Sequence, residues 1–154
     1  MDKKEFIYEI KEEIENLERL EKEMKFLIAD IGEEPTFKEI RISSSILHDF
    51  YSGVEKIFKK IALVVDNNLP GGETWHIDLL TQMAKQFANI RPGVISESLF
   101  EKLKEYLKFR HLFRHIYGFE LKWEKIKPLC LGMSEVLNEF IKEIDKFLNN
   151  FEEK

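Results

Sequence analysis

A stripe of apolar residues repeats every seven positions near the start of the chain: Ile10, Leu17, Met24 and Ile31, with Ile14, Leu20, Leu27 and Ile28 filling the same face. That period belongs to an α-helix and not to the two-residue alternation of a strand. It predicts one helix over about residues 3–31, stopped by Gly32 and Pro35. The pattern returns in Leu47, Phe50/Tyr51, Val54, Ile57/Phe58, Ile61 and Val65, which predicts a second helix from near Thr36 to about Asp66. The Ser43-Ser44-Ser45 run marks a place for a kink or a later start. Asn67-Asn68-Leu69-Pro70-Gly71-Gly72 reads as a loop. A shorter helix is expected from Thr74 to about Phe87, followed by a turn at Arg91-Pro92-Gly93. Ser96 can cap a fourth helix carrying Leu99, Leu103, Tyr106 and Leu107, which reaches Arg110 and stops by Gly118. The last helix, about 123–150, shows Leu129, Met133, Val136/Leu137, Phe140, Ile144, Phe147/Leu148 and Phe151.

With only 7 Gly and 4 Pro, the chain favours long helices over a many-stranded sheet. The expected fold is all-α, an up-and-down bundle of about five helices forming a single domain over 1–154. The 13 Phe stand mostly at helical spacing, where core and subunit contact are their ordinary uses. Long helices with more apolar surface than one bundle needs point to a homodimer. No apolar run approaches the roughly 20 residues of a membrane span. The opening Met1-Asp2-Lys3-Lys4-Glu5 lacks the apolar block of a signal peptide, so a cytoplasmic location is expected. The one cysteine, Cys130, excludes an internal disulfide and a Cys-rich zinc site.

Net charge is −5, which argues against a general nucleic-acid binder, and DNA and membranes are not expected partners. The distribution says more. Residues 1–34 hold 12 acids against 6 bases, whereas residues 101–127 hold 8 Lys/Arg against 4 Glu. That basic block contains Phe109-Arg110-His111-Leu112-Phe113-Arg114-His115-Ile116-Tyr117-Gly118. On a continuous helix, Arg110, Arg114 and Tyr117 fall near one line, with His111 and His115 on the next. Like charges at i,i+4 cost about 0.2–0.5 kcal/mol on an isolated helix, so the arrangement asks for an anionic partner. Neither Arg110 nor His115 belongs to an apolar stripe, and replacing either is expected to leave the fold largely intact.

Two chemistries suit this segment. His111 and His115 are spaced to share a metal, but Leu112 stands where a zinc-protease motif has Glu, and His48 and His76 lie at no recognisable ligand spacing. The other is metal-free phosphodiester cleavage. Arginine offers a permanently charged fork to a phosphate, and imidazole exchanges protons near neutral pH.

Arg110, four residues, His115, one residue and Tyr117, followed by Gly118-Phe119-Glu120, resembles the Arg-x4-His-x-Tyr signature of HepT-like toxins of the HEPN superfamily. The polar residue that often follows the Arg in that superfamily is His111 here. The Tyr51–Glu55 stretch and Trp75-His76 before Leu79-Leu80 are similar to members of the same group. The resemblance implies a homodimeric, metal-independent endoribonuclease toxin of a type VII toxin–antitoxin module. In that role Arg110 and His115 would be catalytic, with the ribose 2′-hydroxyl as nucleophile, and His111 and Arg114 would contact the substrate phosphate. The RNA would be transfer RNA by the same resemblance. The implied partner is a minimal nucleotidyltransferase antitoxin that adds AMP to Tyr117. No cofactor is implied.

A catalytically silent HEPN-type scaffold, binding nucleotide or the nucleotidyltransferase, is the alternative; it would not require an intact Arg110/His115 pair. Trp75 and Trp123 are expected to be buried in the bundle, with base stacking as their other use. His76 stands beside the Gly-Gly loop as a peripheral candidate, and Asp49 and Glu55 on the second helix are placed to salt-bridge within the bundle and orient Arg110.

Overall fold

The computed structural model describes residues 1–153. Among the described residues stand five α-helices: α1 (Lys3–Asp30), α2 (Phe37–Ile61), α3 (Trp75–Met83), α4 (Glu97–Phe113) and α5 (Trp123–Glu153). No strand forms among the described residues, and the bundle is all-α as its spacing predicts. No described helix is long and apolar enough to cross a membrane.

Helices α1, α2 and α4 start where a side chain can receive their orphan N–H groups. Asp2 accepts from Lys4 at α1, and Ser96 accepts from Leu99 at α4. At α2, Thr36 and Glu39 form a reciprocal capping box, with bonds of 2.8 and 3.1 Å. The three serines do not break α2. Ser43 and Ser44 are fully buried, and Ser43 returns its hydroxyl to the Ile40 carbonyl at 3.0 Å. Small side chains there let neighbouring helices approach.

The central element is α2, which packs against α1, α3, α4 and α5. Its buried face meets Ile10, Ile14 and Leu17 of α1 and the Met133–Leu148 stripe of α5 in one continuous apolar core. Edge-to-face aromatic pairs lock the crossings: Phe50 with Tyr106, Phe58 with Phe140, and Phe6 with Phe151. Of the 13 Phe, only Phe26, Phe37 and Phe119 are exposed.

Two segments depart from their sequence expectation. At the end of α2 the helix widens into a π turn, Ala62–Asp66, closed by Asn67 in the left-handed region. The wider turn shifts the phase of the stripe: Val65, expected in the core, is half-buried, and Asp66 takes the buried position. There it receives Arg91 through two bonds of 2.6 Å. The expected turn at Arg91-Pro92-Gly93 is therefore also the site of a buried ion pair. Arg91 further donates to the carbonyls of Lys85, Pro92 and Gln82. Helix α3 ends at Met83 and not near Phe87, because the Met83 carbonyl is claimed by the amides of Val94 and Ile95.

Candidate active site

Helix α4 ends at Phe113, short of the motif's end. The His115 amide bonds the Leu112 carbonyl in a tighter turn, and Tyr117 is extended. The expected line of Arg110, Arg114 and Tyr117 along one helix is thus broken after Arg114. At Gly118 the Arg41 guanidinium lies over the backbone, and a Cβ there would oblige that flexible side chain to shift.

Arg110, His111, Arg114 and His115 nevertheless line one groove of about 830 Å³ between the start of α3 and the end of α4. Lys104 and Lys108 extend the same wall, and Glu73, Trp75 and His76 form the opposite one. Four Lys/Arg face a single lining carboxylate, so the groove is cationic on an acidic molecule. Tyr117 lies outside it, 70% exposed and stacked on Phe119 at 5.2 Å.

The motif arginine is not a free surface group. Its side chain is only 12% exposed, Nε donates to Ser52 Oγ at 3.1 Å, and Nη2 stands 4.0 Å from Glu55. The side chain thus has structural partners as well as a face on the groove. Glu55 is buried, and its other oxygen accepts from His76 Nδ1 at 2.7 Å. The arginine fork is therefore held by α2, which leaves Nη1 uncommitted among the described residues. Tyr51, one turn before Glu55, is fully buried with its hydroxyl unpartnered. Burial, reinforced by the Glu55 charge, pushes its phenol upward, and Arg110 opposes the shift.

His115 is exposed, and its Nδ1 bonds the His111 carbonyl at 2.7 Å. A carbonyl only accepts, so Nδ1 carries a proton, and Nε2 is the ring nitrogen left to exchange one. The His111 ring lies beside it, centroids 4.5 Å apart. Asp49, expected near Arg110, instead meets His48 at 3.3 Å. Trp75 and Trp123 are half-buried rather than fully enclosed, and Trp75 covers the His76 ring at 3.7 Å with Lys59 on its other contact. Ser52 was not singled out by the sequence; its position one turn before Lys56 carries no motif that would mark it. Among the described residues, no three His, Cys, Asp or Glu side chains gather in a metal-holding cluster. A second cavity of about 510 Å³, near Val64, Ile95 and Phe147, brings together no imidazole.

Fold and groove define the class: a helical bundle presenting an arginine–histidine face at the end of its fourth helix. A family model described as HepT-like protein matches residues 43–151. The chain belongs to that family and through it to the HEPN superfamily, whose members include toxin-like proteins. Neither a curated protein nor a solved structure gives a match.

Proposed function

We propose that this chain is a metal-independent endoribonuclease toxin, with Arg110 and His115 as its catalytic residues. What supports the reading above all is the shared groove: an anchored guanidinium, an imidazole whose Nδ1 is tied to a carbonyl, and three further cations on one wall. In the proposed reaction Arg110 holds the scissile phosphate and the charge that grows on it. His115 Nε2 takes the 2′-hydroxyl proton, and attack on phosphorus leaves a 2′,3′-cyclic phosphate. His111 and Arg114 contact flanking phosphates, and transfer RNA is the proposed substrate.

A homodimer would set two such grooves side by side, and a nucleotidyltransferase antitoxin would silence them by adding AMP to Tyr117. The exposure of Tyr117 beyond the groove is consistent with its reach by a modifying enzyme. An added phosphate there would bring negative charge near the motif arginines.

The test is cleavage of a transfer-RNA pool by purified protein in excess EDTA, with Arg110→Ala and His115→Ala alongside. Wild type is expected to cut and leave cyclic phosphate ends, and both variants to be slower by about a hundredfold or more. His115→Ala is the cleaner probe, because its ring is exposed and its loss leaves the melting temperature unchanged. Cutting by both variants at the wild-type rate would falsify the assignment.

A further inference from the structure

Transesterification of RNA moves two protons: one leaves the 2′-hydroxyl and one must reach the departing 5′-oxygen. His115 accounts for the first. On the opposite wall of the same groove stands a second imidazole with a fixed tautomer. His76 Nδ1 bonds Glu55 at 2.7 Å, and since a carboxylate only accepts, Nδ1 is the donor. The other ring nitrogen, Nε2, is on the edge away from buried Glu55, on a residue that lines the groove. Trp75 packs on the ring at a 31° tilt, centroids 3.7 Å apart, and restricts its motion. His115 has only a carbonyl behind its Nδ1, whereas His76 has a carboxylate, which balances the positive charge of an imidazolium. The two imidazoles are thus held differently, one suited to accept a proton and the other to arrive carrying one.

We propose that His76 is the general acid of the reaction, protonating the leaving 5′-oxygen from Nε2, with Glu55 holding its ring in register. The inference rests on the endoribonuclease reading above. The O2′–P bond forms and the P–O5′ bond breaks. The 2′-hydroxyl proton passes to His115 Nε2, the His76 proton passes to O5′, and the products are a 2′,3′-cyclic phosphate and a 5′-hydroxyl. Acid and base then come from one chain, from α3 and the turn after α4. Glu55 links both ends of the chemistry, since it also faces Arg110.

The experiment compares His76→Asn with wild type on two RNAs: ordinary RNA, and the same sequence with a bridging 5′-sulfur at the scissile bond. Sulfur leaves without a proton, so it removes the need for an acid and nothing else. Asparagine keeps an N–H donor for Glu55 but cannot transfer a proton. The expected result is a loss of about a hundredfold or more on ordinary RNA, near wild-type cleavage of the sulfur-linked RNA, and an unchanged melting temperature. An equal loss on both RNAs makes His76 a positioning residue and overturns the proposal, as does no loss on either. Wild type inert on both RNAs defeats the nuclease reading itself. Should the Asn variant not fold, His76→Ala with added imidazole replaces it. Recovery on ordinary RNA supports the proposal, and its absence while the sulfur-linked RNA is cut equally poorly overturns it.

Discussion

Glu55 is one buried carboxylate between a guanidinium and an imidazole, Arg110 from α4 and His76 from α3, and it shows what single-residue reasoning can and cannot reach. Arg110, His111, Arg114 and His115 are legible in sequence because they lie within six positions and share a groove wall. That Glu55 orients Arg110 was also within reach from its place on the second helix. Ser52 and the exact use of His76 were not, since they meet the motif only through the crossing of α2, α3 and α4, and no local spacing encodes that. Cys130 belongs to the same scale. Burial pushes its thiol up to about 12, with Ser43 opposing the shift. Tyr106, raised also by burial, and Tyr51 move in the same direction. A group whose native value is raised stabilises the fold below its unfolded value and loses that contribution as pH climbs. From about pH 9 upward the unfolded thiol ionises while the native one stays protonated, so stability should fall. A urea series between pH 8 and 11 should show the midpoint declining, and a thiol reagent at pH 8 should label Cys130 only as fast as the chain unfolds.

At the level of elements, the long helices follow from their periodicity, and their beginnings from caps that sequence displays openly: Asp2, Thr36 with Glu39, Ser96. Endings were less legible. Helix α3 stops early because distant amides take its last carbonyl, and α4 stops early because its final turn tightens, neither of which has a local marker. The Asp66–Arg91 pair is the clearest case. An acid at the foot of an apolar stripe looks like a helix end, and an arginine before Pro-Gly looks like a turn; only the π turn brings them together. Side-chain exposures of 0% and 3% mean that each is dry without water to replace its partner. Asp66→Ala should therefore cost about 3–5 kcal/mol, as breaking a buried pair does. For a chain of this size that lowers the melting temperature by roughly 6–20 °C. Calorimetry checks it; a change of under 2 °C would mean that the pair contributes nothing. Since Arg91 also bonds the Gln82 and Lys85 carbonyls, the same variant should loosen the C-terminal end of α3.

For the molecule as a whole, charge is sorted by region: α1 and the α5 tail are acidic, and the groove between α3 and α4 is cationic. The proposed homodimer predicts a sedimenting mass near twice the 18.4 kDa of one chain, at micromolar concentration and moderate salt. A single-chain mass throughout would leave each groove to work alone, with His76 as its own acid. One further consequence comes from α1, which precedes the segment that the family model matches, 43–151. Phe6, Ile10, Ile14, Leu17 and Met24 all lie inward from this helix, and Gly53 on α2 leaves just enough room for Leu17 to nest against it. The matched segment and the folded unit therefore differ in extent. Trimmed to its recognisable portion, it would bare a greasy seam along α2 and clump, and the shortest usable version for any laboratory must keep its first thirty residues.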